Sequence, residues 1–359
     1  MGADRPVTLR DVARHCGLSV FPVSLVLSGR DGVAEATAAR IRAAADKLGY
    51  RPELNQAARR LAARKSGGTP LNHVIGLLLP GHLGKVRFFY ELFRGIAEEV
   101  SDRGFGLLML PTYDPVAHRP LPVRLPPAML RGEVDGLILH QGMTDEWIER
   151  LRRAPGSRPH PIVSLSTRIA GGGSVLRDER AGARLALEHL LALGHRRMLY
   201  LGRLKGGYPS DERLAGYGEA CAAAGSARDE CLLPVGIADD HVVEAPLREA
   251  LRQHPEATAL LTLNDPNALH ACYALERMGV RIPDDISVVG WDDTDPLPDA
   301  AGNNRLTSVA FDIAEMGRTA ARVVIEALAT PDRPLPNVTM PARLSARNTT
   351  APPPVRRVT

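Results

Sequence analysis

VTLRDVARHCGLSVFPVSLVLSG, residues 7–29, decides how the chain begins. Leu9, Val12, Ala13 and Cys16 fall at i, i+3, i+4 and i+7, one apolar stripe on a helix over 8–16. Thr8 and Asp11 have capping-box spacing, which satisfies exposed N–H groups at the helix start. Gly17 then breaks the helix, and Ser19 is placed to cap a second short one from Val20 to about Ser28. Pro22 would be its third residue, where a missing N–H costs nothing. After a loop from Gly29 to Val33, Ile41, Ala44, Ala45 and Leu48 form the stripe of a third helix that Gly49 ends. Three short helices with a glycine turn between the first two are a helix-turn-helix pattern.

Working outward, residues 52–70 hold an Ala/Arg-rich stretch, QAARRLAARK at 56–65, and then Ser66, Gly67, Gly68 and Pro70. Ten residues without a buried stripe are only marginally helical alone, and the Gly/Pro cluster marks a linker. From Val74 the texture changes. Apolar runs recur, each followed by a helical pattern: VIGLLL at 74–79, GLLML at 106–110, GLILH at 136–140 and PIVSLS at 161–166, then MLYLG at 198–202, ALLTL at 259–263 and ISVVG at 286–290. Continuous apolar strands alternating with helices indicate parallel sheet covered on both faces. A segment of this length is too large for one open sheet, so two lobes are expected. No internal repeat is evident.

Charge divides along the same line. Residues 1–68 carry twelve Lys/Arg against six Asp/Glu, a net of +6; the whole chain is +4, so the remainder carries 4 − 6 = −2. A basic head on a slightly acidic body points to a polyanion partner for the head, or to a solvated basic face. The four cysteines, Cys16, Cys221, Cys231 and Cys272, include no C-x-x-C pair, so neither a zinc site nor a redox motif is indicated, and reduced thiols in a cytoplasmic protein fit best. The N-terminus has no apolar core of a signal peptide, and no run approaches a membrane span. Phosphate-binding, dinucleotide, zinc-protease and nucleophile-elbow motifs are missing too, which argues against an enzyme and implies no cofactor or metal.

The blocks VTLRDVARHCGLS, VSLVLSG and TAARIRAAADKLGYRP in the head, and RAGARLALEHLLALGHRRMLYLG, ERLAGY, LTLNDPNAL, RIPDDISVVGWDD and LTSVAFDIAEMGRTAA in the body, resemble the lactose-repressor/galactose-repressor (LacI/GalR) family, in family order from residue 7 to about 348. The resemblance implies a helix-turn-helix DNA-binding domain over 7–54, a hinge helix and linker over 55–70, and an effector-binding and dimerisation domain over 72–348. That last domain would have the periplasmic-binding-protein fold of two flavodoxin-like lobes joined by three crossing strands. It further implies a transcriptional repressor, homodimeric on double-stranded operator DNA, whose affinity a small-molecule effector controls by biasing lobe closure. The rival reading of the body alone is a solute-binding protein without a regulatory role, which would need a secretory signal and no head.

The same resemblance assigns residues. Val20, Phe21 and Leu25 match base-reading positions of the second helix. The family usually has polar groups and an Arg where Phe21 and Leu25 stand, so less direct guanine readout is expected here, with contacts to thymine methyls as a weaker source of discrimination; Leu25 as a core residue is the alternative. Thr8, Arg10, Ser24, Ser28, Arg30 and Thr37 go to phosphates, which fix register and carry affinity. Ala34 stands where a Ser or Thr cap is usual. Leu61 is the candidate minor-groove wedge, flanked by Arg59, although its spacing from Tyr50 is two residues longer than usual and a basic tether is the alternative. For the effector, Arg213, Asn264, Asp265 and Asp292 match pocket positions, with Trp291 beside them and Phe88, Phe89 and Ser166 on the first lobe. An Arg, carboxylates, an Asn and an aromatic face suit a sugar or related polar metabolite; Lys85 and Arg87 would favour an anionic one. Helix capping is the competing account of Asp265 and Asp292.

Overall fold

The computed structural model describes residues 7–27, 32–50, 71–79, 87–111, 113–114, 119–120, 129, 132–140, 148–149, 152–153, 160–203, 210–233 and 240–354. It divides into two compact units, Met1–Asn72 and His73–Thr359.

In the first unit, α1 spans Leu9–Cys16, α2 Val20–Leu27 and α3 Glu35–Leu48. Val12, Ala13, Val23, Val26, Ala38, Ile41, Ala44, Ala45 and Tyr50 make its small core. The Thr8 N–H and hydroxyl both donate to the Asp11 carboxylate, at 3.0 and 2.6 Å, and tie down the first turn. Gly17 closes α1 at φ +66°, where L-side chains are strained and glycine is not. Ala34 gives α3 no side-chain cap.

In the second unit the elements are β1 (Val74–Leu79), α4 (Arg87–Asp102), β2 (Gly106–Pro111), β3 (Tyr113–Asp114), β4 (Arg119–Pro120), β5 (Gly136–Leu139), β6 (Ile162–Ser164) and β7 (Gly173–Arg177). They continue with α5 (Glu179–Leu193), β8 (Arg197–Arg203), α6 (Ser210–Ala223), β9 (Ala227–Leu233), α7 (Asp240–Gln253), β10 (Ala259–Thr262), α8 (Asp265–Arg277), β11 (Ser287–Asp292), β12 (Thr307–Ala310), α9 (Ile313–Ala329), β13 (Asn337–Met340) and β14 (Arg343–Ser345). Two six-stranded sheets result, ordered β13-β7-β6-β5-β1-β2 and β14-β12-β11-β10-β8-β9. The first is parallel throughout; the second is parallel except where β14 runs against β12. The chain passes between sheets three times: after β7, after β12 and between β13 and β14. Two passages end on helix caps. Asp178 accepts from the Ala181 N–H at 2.9 Å to start α5, and Asp312 accepts from the Glu315 N–H at 2.9 Å to start α9.

Helix α9 returns to the first lobe and lies tightly on α4. A Cβ on Gly95 would fall 1.9 Å from the Ala314 carbonyl oxygen, and one on Gly317 would fall 2.4 Å from that of Leu92. Only glycines permit that backbone approach. The packed body runs past residue 348, where the sequence placed its end. Thr349 is fully buried, its hydroxyl accepting from Thr307 N–H at 2.8 Å and donating to Val288 carbonyl at 2.7 Å, and the Ala351 carbonyl lies 2.9 Å from His195 Nε2.

Candidate functional site

The head has one unusual face. Along α2, Val23 and Val26 are buried, while Phe21 is 74% exposed and Val20 38% exposed. An eight-residue helix whose only polar side chain is Ser24 thus keeps two apolar side chains in water. Leu25 is half-buried, between the two readings given to it, and Ser24 and Thr37 are half-buried too. Arg10 is exposed. Thr8 is committed to the Asp11 carboxylate, so its hydroxyl proton is spent inside the head. Ser28, Arg30, Arg59 and Leu61 lie outside the described residues.

The second site forms where the lobes meet. Arg213, on α6, is 3% exposed and donates from Nε and a terminal nitrogen to Glu179 Oε2, at 3.1 and 2.9 Å. Its guanidinium lies 4.0 Å above the Trp291 ring centroid, a cation–π contact in a desolvated place. Burial works to lower the Arg213 pKa, but the charges of Glu179 and Asp292 outweigh it and hold the group above the usual arginine value. Glu179 is the first residue of α5, and its other oxygen, Oε1, lies 2.7 Å from Arg177. Arg177, the last residue of β7, also donates to Asp292 at the end of β11. Its guanidinium stands 5.2 Å from the centroids of both Phe88 and Phe311. Two arginines and two acids, all nearly sealed from solvent, therefore join the first lobe to the second through an aromatic sleeve. Such pairs are costly to break singly, because the survivor is a buried bare charge.

The backbone under Asp292 is strained: Asp292 and Asp293 have φ of +97° and +54°. Non-glycine residues there cost roughly 1–3 kcal/mol each unless the surroundings hold them. Asp293 is held by Arg347 at 2.7 and 2.9 Å and by the Ser345 hydroxyl at 2.7 Å. A cavity of about 510 Å³ adjoins the junction, lined in part by Arg168, Arg177, Glu179, Arg180 and Glu212. Another of about 380 Å³ shares none of that lining and is bounded in part by Arg87, Asp292, Thr294, Phe311 and Arg343.

Not every expected pocket residue reaches this junction. Asn264 caps α8, accepting from the Asn267 N–H at 3.0 Å. Asp265 is fully buried and turned into its own lobe. Its carboxylate accepts from the Thr294 and Asp295 N–H groups at 2.7 and 3.2 Å and from the Ser308 hydroxyl at 2.6 Å, while burial pushes its pKa well up. The cap of α8 is thus Asn264 and not Asp265, for which capping was the alternative; Asp265 instead braces the 294–295 loop. Ser166 is half-buried and donates its N–H to Ser164 Oγ at 3.3 Å. Phe88 and Phe89 meet edge to face at 5.6 Å. The Trp291 ring is fully buried, and its Nε1 has no hydrogen-bond partner.

Four participants were missed in the sequence: Arg177, Glu179, Phe311 and His140. His140 follows β5, is buried against Phe88 and Phe89, and leaves Nδ1 unpartnered; burial, with the nearby Arg177 charge, pushes its pKa down to about 3. An arginine ending an apolar strand, SVLR, was the available signal. No cluster of metal ligands occurs among the described residues, and none of their helices is long and apolar enough to cross a membrane.

The chain is similar to known proteins in sequence and in fold. Residues 8–53 match the profile of bacterial regulatory proteins, lacI family, and residues 187–350 match a periplasmic binding protein-like domain. The chain is 30% identical over 339 residues to the HTH-type transcriptional regulator GalR of Escherichia coli (strain K12), covering 92% of each. The structure of a transcriptional regulator CelR–cellobiose complex superposes with a TM-score of 0.65 at 25% identity, over 96% of this chain and 100% of that one. A lac repressor dimer bound to operator and an anti-inducer gives 0.74 at 24% identity, over 97% and 100%. The chain belongs to the lacI family of bacterial transcription regulators, with a helix-turn-helix head and a body of two flavodoxin-like lobes.

Proposed function

We propose that this regulator is a homodimeric repressor that binds operator DNA through its head and releases or grips it according to a polar, sugar-like effector held between its lobes. The observation that carries the DNA reading is Phe21 and Val20 standing in water on α2 while Val23 and Val26 hold the core. An apolar helix face left bare on a +6 head fits a groove lined by thymine methyls and flanked by phosphates. In this reading Val20, Phe21 and Leu25 touch bases, and Arg10, Ser24, Ser28, Arg30 and Thr37 meet phosphates. Arg59 and Leu61 enter the minor groove from the 55–70 hinge. The effector reading rests on the junction of Arg213, Asp292, Trp291, Phe88 and Phe89, whose mixed donors, acceptors and rings suit hydroxylated ligands. The cellobiose held by the CelR structure is in keeping with that class.

The test is selection of bound duplexes from a random pool, followed by titration of the winner. A palindromic consensus, and loss of binding when residues 8–65 are deleted, is the expected result. A pool that never enriches would overturn the proposal. For the effector, calorimetry against a panel of mono- and disaccharides should give binding that Arg213→Ala abolishes while operator binding survives.

A further inference from the structure

We propose that Arg177 is a tethered occupant of the effector cleft: its guanidinium fills a cage of acids and rings around Asp292, divides the cleft in two, and must leave before a ligand can reach that carboxylate. The regulatory meaning rests on the reading of Asp292 given above; the occupancy itself does not.

The cage has four walls. Asp292 and Glu179 accept from the guanidinium edge, and Phe88 and Phe311 stand 5.2 Å from its centre. The side chains of Arg177, Asp292 and Glu179 are 8%, 10% and 1% exposed. A planar cation between rings with carboxylates at its edge is how a bound guanidinium ligand would be recognised; here the chain supplies it. Arg177 lines the larger cavity and Asp292 the smaller, so their ion pair is the partition between the two. Swinging the arginine aside would join them and free Asp292 for hydroxyl groups. The larger cavity gives the displaced cation somewhere to go: Glu212 lines it and already accepts from Arg180 Nε at 2.6 Å, so the displaced guanidinium would share that carboxylate. Arg213 remains on Glu179 and Trp291 throughout, which keeps the second acid neutralised. An arginine that already fills the binding position lowers apparent ligand affinity by the fraction of time it does so.

Methylguanidinium is the probe, with the full-length protein. In the parent protein, Asp292 should resist carbodiimide coupling to glycinamide, read by peptide mass spectrometry, and methylguanidinium should not change the melting temperature. In Arg177→Ala, Asp292 should couple at least about tenfold faster, as expected for a site vacated from over nine-tenths occupancy. Millimolar methylguanidinium should then restore both protection and melting temperature in that variant alone. A folded Arg177→Ala whose Asp292 stays protected, or which ignores methylguanidinium, overturns the proposal. Should that variant not fold, Arg177→Lys carries the labelling test: an ammonium lacks the fork that spans both acids, so Asp292 should again couple faster, and unchanged protection overturns the proposal. Failure of sugar or operator binding with these results intact would remove only the regulatory reading.

Discussion

The head and the lobe junction handle charge and apolar surface in opposite ways. In the head the core is aliphatic side chains plus Tyr50, and the arginines among the described residues, Arg10, Arg14, Arg40 and Arg42, are exposed. In the junction the charges go inside, paired across the lobes, and the aromatic rings wrap them. The first arrangement leaves apolar side chains of α2, Val20 and Phe21, in water. The second satisfies itself, so that anything entering must exchange for a bond already made. One protein thus holds an open site and a closed one, and mutations should separate them.

The largest effect should fall in the junction. Glu179→Leu strands both Arg177 and Arg213 without a shared carboxylate and should cost about 3–5 kcal/mol, read as a lowered denaturant midpoint; a change no larger than that of an exposed pair such as Arg42–Glu35 would mean the network is not closed. Gly95→Ala comes next. It drives a methyl into the Ala314 carbonyl and should cost about 3 kcal/mol as α4 and α9 separate. Smaller and dependent on pH is His140, whose folded pKa of about 3 lies below the ordinary 6.5. The folded protein therefore binds fewer protons than the unfolded chain between these values, and stability is full above 6.5 and falls as pH falls toward 3. By pH 5 that amounts to about 2 kcal/mol, and His140→Leu should remove this part of the acid sensitivity in urea melts run at both ends. The smallest stability effect belongs to the head: Phe21→Ser should move stability by less than about 0.5 kcal/mol, yet weaken operator binding. If it unfolded the head instead, Phe21 would be core.

The head was the more legible half because its determinants are local. Thr8 and Asp11, Gly17 and the stripe of α3 act within a few residues of themselves, and each helix lies within a residue or so of its sequence-read bounds. The apolar runs likewise located β1, β2, β5, β6, β8, β10 and β11. Edge and crossing strands were harder: NVTM of β13 mixes polar and apolar residues because it is largely exposed, unlike the central strands, and ARDECLL of β9 mixes them as well. The candidate pocket was legible only in part. Arg213, Trp291 and Asp292 converge, but Arg177 and Asp292 are separated by 115 residues, so the one local sign, an arginine ending the apolar run SVLR, could not name its partner. Asp265 misled for the converse reason, since its partners Thr294, Asp295 and Ser308 come from other strands and loops.

Regulation by this protein requires the head to meet DNA, and we propose that it does so through charge and an apolar helix face. The direct test is the salt dependence of binding to the selected operator, measured for the full-length protein. A steep linear fall is expected, with log K dropping by roughly 0.9 per phosphate neutralised for each decade of salt, and with the dimer as the binding species. A flat response, or equal affinity for every duplex at all salt concentrations, would contradict it.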